Sequence, residues 1–161
     1  MKASKLSRKP ADEAMAILTT LLTEMFSRSH PPGVGDGEEF GTKTDGRSLY
    51  GDAVYATASR CMEKKALRSH LKTFLLSIPQ VPTPTIHLIA MIATRTIEKG
   101  ATIELMSLLR DLALGAVSEV TRDRALRTLL WFCVDENFDI RIKAVLLARY
   151  AYKISDVQFL I

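Results

Sequence analysis

Apolar residues recur at three- and four-residue spacing along most of the chain, which is the period of an amphipathic helix. In the first such segment Leu18, Leu21, Leu22 and Met25 belong to one stripe. The same period predicts helices over residues 11–29, 48–63, 66–78, 84–99, 103–114, 119–133 and 138–154, with a further start at 155. No stretch combines strand alternation with hairpin turn residues, so the pattern predicts an all-α fold.

Helix-end residues divide these segments at regular intervals. The predicted N-caps are Thr83 (with proline following it), Thr102, Ser118, Asn137 and Ser155, and the predicted ends include Lys99-Gly100 and Gly115. The caps at 102 and 137 lie 35 residues apart, and those at 83, 118 and 155 lie 35 and 37 apart. A helix-pair period of this length is typical of helical repeat arrays.

The period predicts an α-solenoid of the HEAT or ARM kind, a right-handed superhelix of antiparallel helix pairs. The alternative is a compact helical bundle whose connections happen to be evenly spaced. The apolar finish of the sequence, Phe159 to Ile161, indicates a piece of a longer array.

Composition shifts divide the chain into four parts. Residues 1–10 are predicted to be a disordered basic terminus and residues 11–30 the first helix. Residues 31–47, rich in glycine, proline and acids, are predicted to be a flexible loop, and residues 48–161 the helical-repeat domain.

Charge and composition argue against a disordered chain, a membrane span and a disulfide framework. The 161 residues are 47% hydrophobic and 25% charged with a formal net charge of +4, values of an ordinary globular chain. The uncharged stretch 73–94 is interrupted by three prolines and predicts two helix ends and a turn, not a membrane span. Cys61 and Cys133 are too few for a disulfide framework and are expected to be reduced.

No residue pattern indicates catalysis or a cofactor. The three histidines are isolated, and His87 is expected to be a core or groove residue. The glycine run 33–37 lacks the spacing of a phosphate-binding loop and carries acids that repel phosphate. We therefore expect no enzyme, no metal, no cofactor and no small-molecule substrate.

A basic cluster beside a large aromatic pair, Trp131-Phe132, is the candidate for partner binding. One of the two aromatic rings is expected in the core and the other is a candidate anchor. The predicted partner-binding residues are Arg122, Arg124, Arg127, Trp131, Arg141 and Lys143. The alternatives are internal ion pairing with Asp123 and Asp139, or direct contact with RNA.

Several short segments follow one another in an order that resembles the symplekin family of scaffolds, over residues 50 to 161. They are Tyr50–Val54, Phe74–Pro82, Leu108–Leu112, Asp139–Ala144 and Tyr150–Ser155. The sequence departs from the family at 149–152, where Arg-Tyr-Ala-Tyr replaces the usual Asn-Lys-Leu-Tyr. The resemblance implies a nuclear, non-catalytic platform whose partners are other subunits of the pre-mRNA cleavage and polyadenylation complex, with RNA contacted indirectly.

Overall fold

The computed structural model describes residues 8–29, 45–96 and 99–159. Over these residues the backbone forms α-helices and one short 3-10 helix, and it contains no strand. The helices are α1 Arg8–Ser29, α2 Asp45–Glu63, α3 Lys65–Ser77, α4 Thr83–Arg95, α5 Lys99–Gly115, α6 Glu119–Trp131 and α7 Phe138–Phe159, with the 3-10 helix at Phe132–Val134. The all-α prediction is confirmed.

Some predicted boundaries are wrong. The loop predicted over 31–47 falls largely outside the described residues, but α2 begins at Asp45, inside that range. The cap predicted at Ser155 is wrong because α7 continues through this position. The predicted basic terminus 1–10 is described only from Arg8, where α1 already begins.

The boundary between α4 and α5 differs from prediction for a reason that the structure shows. Lys99 and Gly100 form the first turn of α5 and do not end α4. Thr102, predicted as a cap, lies within α5, and its buried hydroxyl donates to the backbone carbonyl of Ala93 in α4 at 2.9 Å. The polar side chain read as a cap therefore joins two helices.

The caps predicted at Ser118 and Asn137 are confirmed. The Ser118 hydroxyl accepts from the backbone N–H of Thr121 at 3.4 Å. The Asn137 side-chain oxygen accepts from the N–H groups of Asp139 and Ile140, at 3.0 and 3.4 Å. Both satisfy donors that a helix start leaves free.

The first compact unit runs to Pro82, and in it α1, α2 and α3 contact one another. Its core centres on Tyr50, which is fully buried. The Tyr50 hydroxyl donates to the Gln80 carbonyl at 2.6 Å, and its ring lies 5.1 Å from that of Phe26. This contact ties the proline-rich turn after α3 to the helices.

The second unit begins at Thr83 and contains α4 to α7. Among the described residues each helix contacts the next helix and the next but one, whereas α4 and α7 do not touch. A closed four-helix bundle would bring its first and last helices together, and a stack of helix pairs would not. No described helix is long and apolar enough to cross a membrane.

Candidate docking groove

A groove of about 890 Å³ lies within the second unit, between α4 and α6. Residues of α4 form one wall: Thr83, Ile86, His87, Ala90, Met91, Thr94 and Arg95. Residues of α6 and the segment after it form the other: Asp123, Arg124, Arg127, Thr128, Trp131, Phe132 and Asp135. The groove follows from the order of the chain, because α4 and α6 are alternate helices that contact one another.

The end of α6 divides its aromatic pair between core and solvent. Phe132 is 3% exposed, whereas Trp131, the last residue of α6, is 78% exposed. The prediction that one of the two rings lies in the core is confirmed for Phe132, and the role of Trp131 as an anchor stays a prediction. Opposite Trp131, Met91 is 40% exposed and Ile86 is fully buried, so one wall of the groove is partly apolar.

The charges of the groove are only partly neutralised. Arg127 donates to Asp123 at 2.8 Å across one helical turn, and the Asp135 carboxylate accepts from the N–H of Asn137 at 2.8 Å. The side chains of Arg95 and Arg124, by contrast, make no hydrogen bond or ion pair within the described part of the chain. Two of the three arginines of the groove are therefore available to a ligand.

The structure separates the six predicted partner-binding residues into two groups. Arg124, Arg127 and Trp131 line the groove. Arg122, Arg141 and Lys143 are not part of its lining, so the groove does not bring the six predicted residues together. Residues 122 and 124 lie about 200° apart around the α6 axis, which places them on different faces.

Arg122 and Arg141 are instead engaged with the backbone of their own chain. The Nη1 of Arg122 donates to the carbonyls of Ala116 and Val117, at 2.8 and 3.2 Å. The Nη1 of Arg141 donates to the carbonyls of Asp135 and Glu136, at 2.7 and 2.9 Å. These guanidinium groups therefore stabilise the linkers before α6 and α7. Lys143, the third residue outside the groove, is half-buried on α7.

Sequence reasoning missed the α4 wall, including Met91 and Arg95. No local signal identifies these residues, because only the packing of α4 beside α6 brings them to Trp131. Thr83 was predicted as a cap, but its buried hydroxyl, which lines the groove, has no hydrogen-bond partner. His87, expected in the core or a groove, lines the groove and is exposed.

The remaining nucleophiles and metal-ligand residue types form no site among the described residues. No group of three or more His, Cys, Asp or Glu side chains is placed to hold a metal ion there. Burial raises the pKa of both the Cys61 and the Cys133 thiols, which keeps them in the protonated, weakly nucleophilic form at neutral pH.

No protein-family model, curated protein or solved structure matches the chain. The elements of the groove are an exposed indole, two arginines without partners among the described residues and a partly apolar wall. This combination is typical of a surface that binds a macromolecular partner.

Proposed function

We propose that the chain is a non-catalytic scaffold segment, an α-solenoid of stacked helix pairs, whose α4–α6 groove binds a segment of a partner protein. The observation that carries this proposal is Trp131, 78% exposed beside Arg124 over a groove partly lined by apolar side chains. Tryptophan and arginine dominate the binding energy of protein interfaces, and leaving so large an apolar ring in water is unfavourable.

The spacing of the helices supports the solenoid. Helices α4 and α6 begin at residues 83 and 119, 36 apart, and α5 and α7 begin at 99 and 138, 39 apart. These spacings agree with the predicted helix-pair period, although the caps predicted at Thr83, Thr102 and Ser155 do not cap a helix. They also agree with the order of contacts in the second unit, where helices meet only near neighbours.

The occupant that fits the groove is an acidic segment carrying a large apolar side chain. Its carboxylates would pair with Arg95 and Arg124, and its apolar side chain would pack between Trp131 and Met91. A carboxylate offers the planar pair of oxygens that a guanidinium group recognises through two hydrogen bonds. Both contacts would remove water from groups that are otherwise exposed.

Direct RNA binding is less well supported by the same surface. Asp123 and Asp135 lie among the arginines of the groove, so an evenly charged phosphate backbone would place phosphates beside these carboxylates, whereas a peptide can carry acids only where Arg95 and Arg124 lie. Arg122 and Arg141, which the RNA alternative needs, already donate to backbone carbonyls. The charge pattern therefore favours a mixed acidic and apolar peptide over a nucleic acid.

The resemblance to symplekin supplies a cellular setting for this scaffold. We propose that the partners are subunits of the nuclear cleavage and polyadenylation machinery. A rigid array that holds several of them raises their effective concentration for one another without any chemistry of its own.

Affinity capture from nuclear extract tests this proposal. The full chain is expected to recover cleavage and polyadenylation subunits, and the Trp131→Ala variant to lose them. Val117→Ala is the matched control, because Val117 is also exposed but lies outside the groove lining. Recovery of an unrelated complex would refute the cellular assignment. If Trp131→Ala recovered the same subunits as the wild-type chain, the groove would not be their binding site.

A further inference from the structure

His87 is an exposed imidazole on the α4 wall of the groove, and the proposed function assigns it no role. Its side chain makes no hydrogen bond or ion pair within the described part of the chain. None of the residues one turn away along α4 carries a charge: Thr83, Pro84, Ala90 and Met91. An imidazole changes its charge between pH 5 and 8. His87 is therefore a group through which pH can act on a charged ligand of the groove.

Arg124 lies across the groove from His87. Short connections join α5 to α4 before it and to α6 after it, and helices joined in this way run antiparallel. The alternate helices α4 and α6 therefore run in the same direction. Both are 13 residues long, with His87 and Arg124 in their second turns and Arg95 and Trp131 as their last residues. The groove thus has two levels, His87 with Arg124 and Arg95 with Trp131, about 10–12 Å apart along the helices.

The charged groups around His87 leave room for an anion from a ligand. Those that line the groove with it are Arg95 on α4, three residues of α6 and one residue after α6: Asp123, Arg124, Arg127 and Asp135. The two acids among them are already bonded within the chain, Asp123 to Arg127 and Asp135 to the N–H of Asn137. Helix α5, which also contacts α4, contributes no residue to the lining.

A ligand carboxylate between His87 and Arg124 would bond to both side chains. The guanidinium group of Arg124 can donate two hydrogen bonds to its oxygens. A neutral imidazole donates one hydrogen bond and adds no charge, whereas a protonated one donates from either ring nitrogen and adds a positive charge. The bound carboxylate therefore favours the protonated form of His87, so the complex binds more protons than the free chain and its ligand. By linkage, the ligand then binds more tightly as the pH falls.

We propose that His87 and Arg124 form a carboxylate subsite of the groove, and that protonation of His87 tightens the binding of an acidic segment. This rests on the proposed function, because the ligand is the acidic segment assigned to the groove. The affinity should rise roughly two- to fivefold as the pH falls from 8 to 5.5, which is the contribution of one exposed ion pair. Glutamate side chains of the ligand stay ionised over this range.

Isothermal titration calorimetry of the full chain with a short peptide of glutamate and leucine tests the subsite. The dissociation constant is measured at pH 8 and 5.5, and proton uptake at pH 6.5 is obtained from two buffers of different ionisation enthalpy. The wild-type chain should bind more tightly at pH 5.5 and take up protons on binding. His87→Gln should bind as the wild type does at pH 8 and lose both effects. His87→Lys, which stays charged, should bind tightly at both pH values.

His70→Gln is the matched control for the loss of an imidazole. His70 belongs to the first unit, where its Nδ1 lies 3.2 Å from the Asp12 carboxylate, and it does not line the groove. This variant should keep the pH dependence of the wild type, and circular dichroism of each variant confirms folding. Wild-type binding that does not change with pH, or a rise that His87→Gln retains, would overturn the subsite and leave the groove standing. No binding at either pH would refute the groove itself, and the subsite with it.

Discussion

Arg122 and Arg141 occupy the same position in two successive helices. Each lies four residues after the N-cap, Ser118 or Asn137, and each donates through Nη1 to the two carbonyls that precede the cap. Arg68 takes the equivalent position in α3, where its Nε donates to one such carbonyl at 3.1 Å. An arginine at this position therefore bonds the linker before a helix to the first turns of that helix.

Replacing these linker arginines should destabilise the fold more than replacing an arginine of the groove. We expect Arg122→Met and Arg141→Met each to lower the free energy of unfolding by about 2 kcal/mol, because each removes charge-assisted hydrogen bonds to backbone carbonyls. Urea unfolding measures the effect. Arg127→Met, which removes only a surface pair to Asp123, should cost about 0.5 kcal/mol. If all three variants lost the same free energy of unfolding, the linker contacts of Arg122 and Arg141 would contribute no more than a surface ion pair.

Two buried threonines should respond to the same substitution with opposite signs. Thr102 is 1% exposed and its hydroxyl bonds to Ala93, so Thr102→Val should cost about 1–3 kcal/mol. Thr85 is fully buried and its hydroxyl has no hydrogen-bond partner, so Thr85→Val should stabilise by about 1 kcal/mol. Thermal unfolding of both variants measures the difference. A stabilised Thr102→Val would contradict its role in joining α4 to α5.

At alkaline pH the stability of the first unit should depend on pH, because the unfolded and folded chains differ in the pKa of Tyr50. Burial raises the pKa of Tyr50 from 10.0 to about 12, while the hydrogen bond to the Gln80 carbonyl acts in the opposite direction. Between these values the unfolded chain releases the phenolic proton and the folded chain keeps it. The contribution of Tyr50 to the free energy of unfolding therefore falls by about 1.4 kcal/mol per pH unit as the pH rises from 10 to 12.

The Tyr50→Phe variant isolates this contribution. At pH 8 it should be less stable than wild type by about 1 kcal/mol, because the hydrogen bond to Gln80 is lost. Near pH 12 the order should reverse, since phenylalanine does not ionise. Tyr55→Phe serves as the control, because Tyr55 is partly exposed. Parallel stability curves for Tyr50→Phe and wild type between pH 8 and 12 would contradict the burial of an un-ionised Tyr50.

Helix content was predictable from the sequence because it depends on local periodicity. The proline-rich turn after α3 and the caps at Ser118 and Asn137 are local signals, and the structure contains each of them. The stripe predicted on α1 is only partly buried, because Leu22 is 1% exposed whereas Leu21 is 53% exposed. Thr102 was misread because a hydroxyl that caps a helix and one that bonds a neighbouring helix look alike in sequence. That distinction belongs to tertiary packing.

The candidate site was predictable only on one of its two walls. Trp131 and Arg124 stood out as an aromatic and a charge on one predicted helix, and both line the groove. Arg95 lies on another helix, and its place beside them follows only from the contact between α4 and α6. Arg122 does not line the groove with Arg124, because residues two apart in sequence lie on different faces of a helix.

Substitutions of the two adjacent aromatic residues, Trp131 and Phe132, should have very different effects on the free energy of unfolding. Trp131→Ala should change the free energy of unfolding by less than about 0.5 kcal/mol, because its ring is mostly in water. Phe132→Ala should cost about 3–5 kcal/mol, because its ring is buried. Chemical denaturation of the two variants measures both values. A large loss in Trp131→Ala would show that the indole supports the fold and is not free for a partner.

Trp131 is the chain's single tryptophan, so its fluorescence reports directly on the groove. The probe is a short peptide of glutamate and leucine without aromatic residues, titrated into the full chain, with a lysine and leucine peptide and single-stranded oligouridine as controls. We predict that the glutamate peptide shifts the emission to shorter wavelength, that salt weakens the effect, and that Arg124→Glu with Arg95→Glu abolishes it. An unchanged spectrum with the glutamate peptide, or a shift produced only by the lysine peptide or the RNA, would contradict the docking groove.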